Sequence, residues 1–156
     1  MRINIIAVGK RMPDWIDKAF NEYNKRLPNQ IELILTEITP ANRNRKNSVE
    51  QYQREEEKRI LNRLDIDSFC ILLDEQGKPL NSIDLANKLN SWIDDQQPVS
   101  FLIGGPDGVS KKIKQHVQET WSLSALTIPH ALVRVLLIEQ IYRGWTIINK
   151  HPYHRE

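Results

Sequence analysis

Short apolar segments alternate with longer amphipathic segments along the whole chain of 156 residues. This order is typical of an α/β domain on a largely parallel sheet, because a crossover, usually a helix, must separate one parallel strand from the next. Strands are predicted at residues 2–8, 31–38, 69–73, 99–103 and 123–128. We therefore predict one α/β domain over residues 1–156, with five or six largely parallel strands flanked by helices.

Helix starts between these strands are marked by residues that suit the first helical turn. The first helix carries Trp15, Ala19 and Tyr23 at four-residue spacing and ends at Leu27-Pro28. The charged run at residues 55–59 in the second helix is interpreted as a solvated face. The start signals are Pro13 for the first helix, Ser48 with Gln51 as a capping box for the second, Ser82 for the third and Ser110 for the fourth.

The last helix, predicted from Ala131 to about Asn149, has a different pattern from the others. Its apolar residues lie around most of its circumference, and a small monomer could hardly cover them all. We therefore expect this helix to be shared between the core of its own subunit and a homodimer interface.

A glycine-rich turn, Gly104-Gly-Pro-Asp-Gly108, follows the apolar strand at residues 99–103 and precedes the helix at Ser110. Glycine lets a backbone approach a ligand closely, and strand-to-helix loops lie at the edge where α/β sheets bind ligands. These features indicate a nucleotide-like ligand, but the same residues are common in ordinary turns. Neither a G-x-G-x-x-G nor a G-x-x-x-x-G-K-[ST] phosphate-binding pattern is present.

The composition limits the classes of protein that remain. A single cysteine, Cys70, excludes an internal disulfide, and its apolar neighbours predict a buried thiol in a reducing compartment. The first eight residues are too short and too alternating for a signal peptide, and no apolar run reaches the roughly 18 residues of a membrane span. No histidine has metal-ligand neighbours. We expect a cytoplasmic protein with no membrane or metal partner.

The net charge of +2 does not by itself indicate nucleic-acid binding. Basic residues are nevertheless grouped in the polar loop at residues 42–47, at the start of the fourth helix and near the end of the chain. Each group is either a solvated surface or part of an RNA contact, and the sequence leaves both interpretations open.

The chain ends in a polar aromatic cluster, His151-Pro-Tyr-His-Arg-Glu156. Chain ends are usually poorly ordered, so such a cluster needs something that holds it in place. One interpretation is that it shapes a binding pocket. The other is that it has only a structural role, in which Tyr153 packs against the rest of the protein and Arg155 pairs with a carboxylate.

Taken together, the motifs of this chain are specific in both order and spacing. The chain resembles the small SPOUT-class methyltransferases that methylate N3 of a pseudouridine in bacterial large-subunit (23S) ribosomal RNA, and the resemblance covers nearly all 156 residues. The segments that carry it are Ala7-Val-Gly-Lys10, Met12-Pro-Asp-Trp15, Leu73-Asp74 with Gly77-Lys-Pro79, and residues 102–108, 121–130 and 151–156.

The resemblance implies a SPOUT-type (alpha/beta-knot) fold with a deep C-terminal trefoil knot, although knots are rare in proteins. It also implies a homodimer through the last helix, ribosomal RNA in assembled ribosomes as partner, and S-adenosyl-L-methionine as cofactor. Carried over residue by residue, the cofactor contacts fall on Leu73, Gly104, Leu123, Ser124, Ala125, Leu126, Thr127 and Ile128.

Methyl transfer to N3 requires that the acceptor nitrogen be aligned with the methyl carbon and that the N3 proton leave. The candidate catalytic residues are Tyr153, His154 and Arg155, with Arg155 favouring the anionic base and His154 accepting a proton. Arg134, Arg143 and His151 are candidate substrate contacts. His130, after Pro129, is either a helix-start residue or a ligand contact.

Two other functions compete with this hypothesis. The chain could be a ribosome-associated binding module without catalysis, or a SPOUT methyltransferase that acts on transfer RNA. If the last helix forms a dimer, each active site can combine cofactor loops from one chain with the tail or basic loop of the other.

Overall fold

The structure, a computed structural model, describes residues 1–44 and 46–154. In these residues strands and helices alternate, which confirms the predicted α/β class. The elements are β1 (Arg2–Val8), α1 (Asp14–Asn24), β2 (Glu32–Ile38), α2 (Val49–Leu61), β3 (Phe69–Pro79), α3 (Ser82–Asp94), β4 (Val99–Ile103), α4 (Lys111–His116), β5 (Glu119–Ser122) and α5 (His130–Ile148).

The strands form one parallel sheet in the order β2-β1-β4-β3-β5. Alternate residues of each strand enter two separate apolar clusters. Ile5 and Phe101 pack with the residues of α1, α3 and α5, whereas Ile6 and Leu102 pack with those of α2 and α4. Because helices cover both faces of the sheet, both sides of a strand are buried, and the strand sequences are continuous apolar runs. All strands end at one edge of the sheet, which brings their C-terminal loops together.

The last helix packs on the same side of the sheet as α1 and α3. Gly144 faces α3, where a Cβ would lie at van der Waals distance, 3.5 Å from Ala86 Cα. The opposite side of α5 is less covered, and the Leu136 side chain is 40% exposed. The helix begins and ends one residue before the predicted bounds.

The predicted strand at residues 123–128 is wrong, because β5 ends at Ser122 and a loop follows. Ser122 Oγ donates to the carbonyl of Ser124 at 2.7 Å, and Ser124 Oγ accepts from the Leu126 N–H at 2.9 Å. Such local hydroxyl bonds give the backbone an alternative to a strand ladder. The third strand is longer than predicted and reaches Pro79.

The capping predictions have mixed outcomes. The capping box of Ser48 and Gln51 and the cap of Ser110 are confirmed. For α3 the prediction of Ser82 is wrong: Asn81 is the cap and accepts from the Asp84 N–H at 2.8 Å. Ser82 donates instead to Gln140 Oε1 at 2.6 Å, because its side chain points to α5.

Other predictions concern burial and topology. Cys70 is buried, as predicted. The solvated interpretation of residues 55–59 is wrong for Glu56, which is 2% exposed because Arg43 and a backbone N–H bind its carboxylate. None of the helices in the described residues combines the length and the apolar character needed to cross a membrane. The trefoil knot stays a prediction.

Candidate active site

A cavity of about 550 Å³ lies at the edge of the sheet where β3, β4 and β5 end. Three segments form most of its wall: residues 73–76 of β3, the turn at residues 103–108 and the loop at residues 122–130. This is the edge at which parallel α/β sheets place their ligands.

The first wall exists because β3 bulges. Leu73 and Lys78 both pair with Trp121, so residues 74–77 are left out of the ladder. Gly77 makes this possible, since a Cβ there would lie 2.5 Å from the Trp121 carbonyl carbon. The bulge therefore brings the Asp74 and Glu75 carboxylates to the cavity.

The second wall is the glycine turn. The Gly108 N–H donates to the Gly105 carbonyl at 3.0 Å, and Gly108 has a φ of +70°, which favours glycine. A Cβ on Gly104 would lie 3.0 Å from Val109 Cγ1. The turn is thus compact and leaves its backbone accessible to a ligand in the cavity.

A polar network fastens this turn to α2 and to the loop at residues 40–47. Arg43 Nη2 lies 2.9 Å from Asp107 Oδ2 and 3.1 Å from Glu56 Oε1. Gln53 Nε2 donates to the Asp107 carbonyl at 2.8 Å, and the Ala41 N–H donates to Glu56 at 2.9 Å. Arg43, part of the predicted basic loop, therefore forms ion pairs within the chain while part of its side chain stays exposed.

The third wall, the loop at residues 122–130, reaches across to the bulge. Thr127 Oγ1 donates to Glu75 Oε2 at 2.9 Å, which joins the two sides of the cavity. Leu126 stands at the rim with 77% of its surface exposed.

The charge of the cavity is predominantly negative. Asp74, Glu75 and Asp107 line it, and Lys114 is the cation among its described lining residues, with Nζ 3.4 Å from Asp74 Oδ2. This donor set suits a ligand that carries positive charge.

His130, the first residue of α5, lines the same cavity. Behind it Arg134 is 1% exposed and donates from Nη2 to the Gly9 carbonyl at 2.9 Å. Arg134 Nη1 lies 3.5 Å from Glu37 Oε2. Burial, with the positive charges of Arg134 and Arg43, lowers the pKa of His130 below its ordinary value. The imidazole is therefore neutral at neutral pH.

A family model described as a predicted SPOUT methyltransferase matches residues 1–154. The chain belongs to this SPOUT methyltransferase family. Three similar proteins carry the name ribosomal RNA large subunit methyltransferase H. Those of Hydrogenovibrio crunogenus and Neisseria meningitidis are each 44% identical over 156 residues, covering 100% of both chains. That of Teredinibacter turnerae is 46% identical over 158 residues, covering 99% of this chain and 100% of the relative.

The cavity of this SPOUT methyltransferase contains most of the residues carried over as cofactor contacts. Ala125 does not line it and is exposed on the loop beside it. The residues that do line it are Leu73, Gly104, Leu123, Ser124, Leu126, Thr127 and Ile128. Sequence reasoning missed Asp74, Glu75 and Lys114, since only the β3 bulge and the position of α4 bring them to the cavity.

The C-terminal tail of the methyltransferase lies elsewhere. Tyr153 Oη donates to Glu139 Oε1 at 3.0 Å, and its ring meets Tyr142 edge-on at 4.8 Å between centroids. Arg143 Nη2 lies 2.5 Å from the same Glu139 oxygen, and its guanidinium is 5.1 Å from the Tyr153 ring. Burial, then the hydrogen bonds to Tyr23 and Glu139, raise the pKa of Tyr153, so its phenol stays protonated.

The described residues of the terminal hexapeptide, 151–154, do not line the cavity of their own chain. Tyr153, His154, Arg143 and His151 do not line the cavity, and Arg134 lies behind His130. His154 Nδ1 is buried and has no hydrogen-bond partner among the described residues. Arg155, a predicted catalytic residue, lies outside the described residues. Within residues 1–44 and 46–154, no group of three or more His, Cys, Asp or Glu could hold a metal ion.

Proposed function

We propose that this chain transfers a methyl group from S-adenosyl-L-methionine to N3 of a pseudouridine in 23S ribosomal RNA. The observation that carries the proposal is the cavity, which seven of the eight carried-over cofactor residues line together. Family membership over residues 1–154 and relatives named for methylation of large-subunit ribosomal RNA support the same assignment.

The cavity fits this cofactor in size, shape and charge. Its volume of 550 Å³ is within the range of roughly 300–1,000 Å³ that small-molecule sites occupy. Leu73, Leu123 and Ile128 offer apolar walls for an adenine ring. Backbone N–H and C=O groups of the loop can hydrogen-bond to the polar edge of that ring. The carboxylates of Asp74 and Glu75 suit the positive charges of the sulfonium and the amino group.

When bound, the cofactor supplies a methyl group on a sulfonium that is already a good leaving group. The protein then has to hold the acceptor so that N3 lies roughly 3–3.5 Å from the methyl carbon. The glycine turn and the Glu75–Thr127 bridge fix one side of this geometry. The acceptor base must enter from the open side of the cavity.

The tail is proposed to complete the site from a second copy of the chain. Tyr153 and His154 lie away from their own cavity, so they reach a methyl acceptor only in a homodimer. The exposed side of α5 at Leu136 supports such an interface. In this arrangement Tyr153, His154 and Arg155 shape the acceptor pocket, while Arg143 and His151 position the tail that enters it. Arg134 is buried, so its proposed effect on the substrate is indirect and passes through its hydrogen bond to the Gly9 carbonyl.

The substrate is proposed to be the assembled ribosome in the cytoplasm. With a net charge of only +2, the chain as a whole attracts naked RNA weakly and has little electrostatic means of selecting it. Folded ribosomal RNA and protein supply the missing contacts.

Transfer of a labelled methyl group to intact ribosomes, free subunits and transfer RNA, compared side by side, tests the proposal. We expect label in the large-subunit RNA of intact ribosomes. Ribosomes that carry uridine at the acceptor position are the control and should accept less label. Label in transfer RNA alone would favour the transfer-RNA enzyme. Absence of transfer, with no heat on titration with S-adenosyl-L-methionine, would favour the binding module.

A further inference from the structure

We propose that His130 is the catalytic residue that accepts the N3 proton of the methyl acceptor. The inference rests on the proposed function and assigns a role in it to a side chain on the cofactor-binding chain itself. Methylation of a ring N–H cannot finish until this proton has left, and a positioned base speeds such a step.

The other titratable groups that line the cavity are already engaged. The Asp74 carboxylate faces Lys114, and Glu75 accepts from Thr127. Asp107 is paired with Arg43. By contrast, neither ring nitrogen of His130 hydrogen-bonds to another described residue. Among the described residues that line the cavity, His130 is thus the imidazole base, and it has no ion-pair or hydrogen-bond partner there.

The imidazole lies beside Gly9, the residue that follows β1. Gly9 has a φ of +123°, and a Cβ there would lie 3.6 Å from His130 Nε2 and 3.2 Å from Arg134 Nη2. Both side chains therefore border the space that the missing side chain of Gly9 leaves open. Arg134 is buried, whereas His130 lines the cavity.

The charges around His130 keep it unprotonated before the reaction. Its own burial opposes the charged form, as do the cations of Arg134 and Arg43. The N-terminal end of the 19-residue α5 adds a further positive potential at its first residue. Other charged groups on the surrounding elements are Glu37 beside Arg134, Glu56 and Asp107 beside Arg43, and Asp74, Glu75 and Lys114 in the cavity wall.

The atoms and electrons of the step balance without a further reactant. N3 forms its new bond to the methyl carbon with its own electron pair. The carbon–sulfur bond breaks, and its electron pair stays on sulfur, leaving a neutral thioether. The proton from N3 moves to the free ring nitrogen of His130, and the imidazolium then releases it to solvent.

The test compares His130→Asn and His130→Gln with the unaltered protein in single-turnover methylation of ribosomes. We expect the rate at saturating cofactor to fall by about 100-fold or more, which is the usual size of a general-base effect. The Kd of S-adenosyl-L-methionine, measured by calorimetry, should stay within about twofold, since only a transition-state interaction is lost. His116→Asn, on the exposed surface of α4, is the matched control and should keep its rate.

A pH series separates this role from a purely structural one. In the unaltered protein the rate should fall as acid protonates His130. In both variants this acid limb should disappear, and the defect should shrink in alkali, where N3 ionises without help. A structural defect would not be repaired by alkali.

Each result bears on one hypothesis or the other. Unaltered rates in both His130 variants, with an active unaltered protein, would overturn the role of His130 alone. A raised cofactor Kd with an unchanged saturated rate would make His130 a cofactor contact and also overturn it. An unaltered protein that methylates no ribosomal substrate would overturn the proposed function, and the inference with it. If one variant melts early, the other supplies the measurement.

Discussion

Glu56 Oε1 lies 3.1 Å from Arg43 Nη2, and the same guanidinium nitrogen lies 2.9 Å from Asp107 Oδ2 in the glycine turn. A buried carboxylate on α2 therefore holds, through one arginine, a wall of the cavity at the sheet edge. Arg43 belongs to a basic loop, but within the chain its guanidinium is paired with these two carboxylates.

Replacing Glu56 with Gln should destabilise the fold and weaken cofactor binding. The variant leaves the Arg43 charge without its buried partner, and we expect a loss of about 2 kcal/mol in the free energy of unfolding. Urea unfolding and calorimetric titration with S-adenosyl-L-methionine measure the two effects. Glu55→Gln is the control, because that carboxylate pairs with Arg59 at the surface. This variant should lose less than about 1 kcal/mol in the free energy of unfolding. Equal effects of the two variants would contradict the network.

Replacing Gly77 with Ala should separate β3 from β5. The new methyl group would lie 2.5 Å from the Trp121 carbonyl carbon, and backbone cannot yield as a side chain can. We expect a loss of about 3 kcal/mol or more in unfolding free energy. Gly108→Ala is the comparison, because a Cβ there meets nothing within 4 Å. The positive φ of this residue should then be the sole source of strain, and it should lower the free energy of unfolding by about 1–2 kcal/mol. A Gly77 variant no less stable than the Gly108 variant would show that the close approach is absent.

Replacing Leu136 with Arg should abolish methylation before it abolishes folding. The side chain lies on the exposed side of α5, and the charge would oppose a second copy there. Sedimentation should show a monomer with an unchanged circular dichroism spectrum and no methyl transfer to ribosomes. The control is Ile66→Arg, at a loop position that is 92% exposed, which should stay dimeric and active. A fully active monomer would refute the composite site.

Replacing Thr127 with Val should loosen the cavity. The substitution removes the hydroxyl that bridges to Glu75 and keeps the shape of the side chain. A hydrogen bond of about 1 kcal/mol predicts a Kd for S-adenosyl-L-methionine about fivefold higher. The double variant with Glu75→Gln should be less than additive, because both changes act on one interaction. Full additivity would argue against the bridge.

The lowered pKa of His130 should make stability depend on pH. The unfolded chain protonates this histidine near its ordinary value of about 6.5, whereas the folded chain does so only at lower pH. Between these two values the unfolded state binds more protons, so stability falls as pH falls below about 6.5. Urea unfolding across this range should show a shallower slope for His130→Asn than for the unaltered protein.

Several features of this protein could be predicted from its sequence because they depend on neighbours along the chain. Apolar runs such as Val99–Ile103 must be buried on both faces, and only a helix-covered parallel sheet does this. The capping box at Ser48 and the glycine turn at Gly104 are local in the same sense. For this reason the fold class could be predicted from these patterns, whereas the residues of the cavity wall were named through the family resemblance.

Only the tertiary structure decided which distant groups meet. Nothing near Glu56 in the chain distinguishes it from its half-buried neighbour Glu55, and the burial of Glu56 follows from Arg43 and the Ala41 N–H. The β3 bulge depends on strand pairing, because both Leu73 and Lys78 pair with Trp121 of β5. A loop rather than a strand follows Ser122, because serine hydroxyls hydrogen-bond to its backbone. Local propensity is set within a few residues, whereas pairing of charges and strands depends on contacts between segments far apart in the chain.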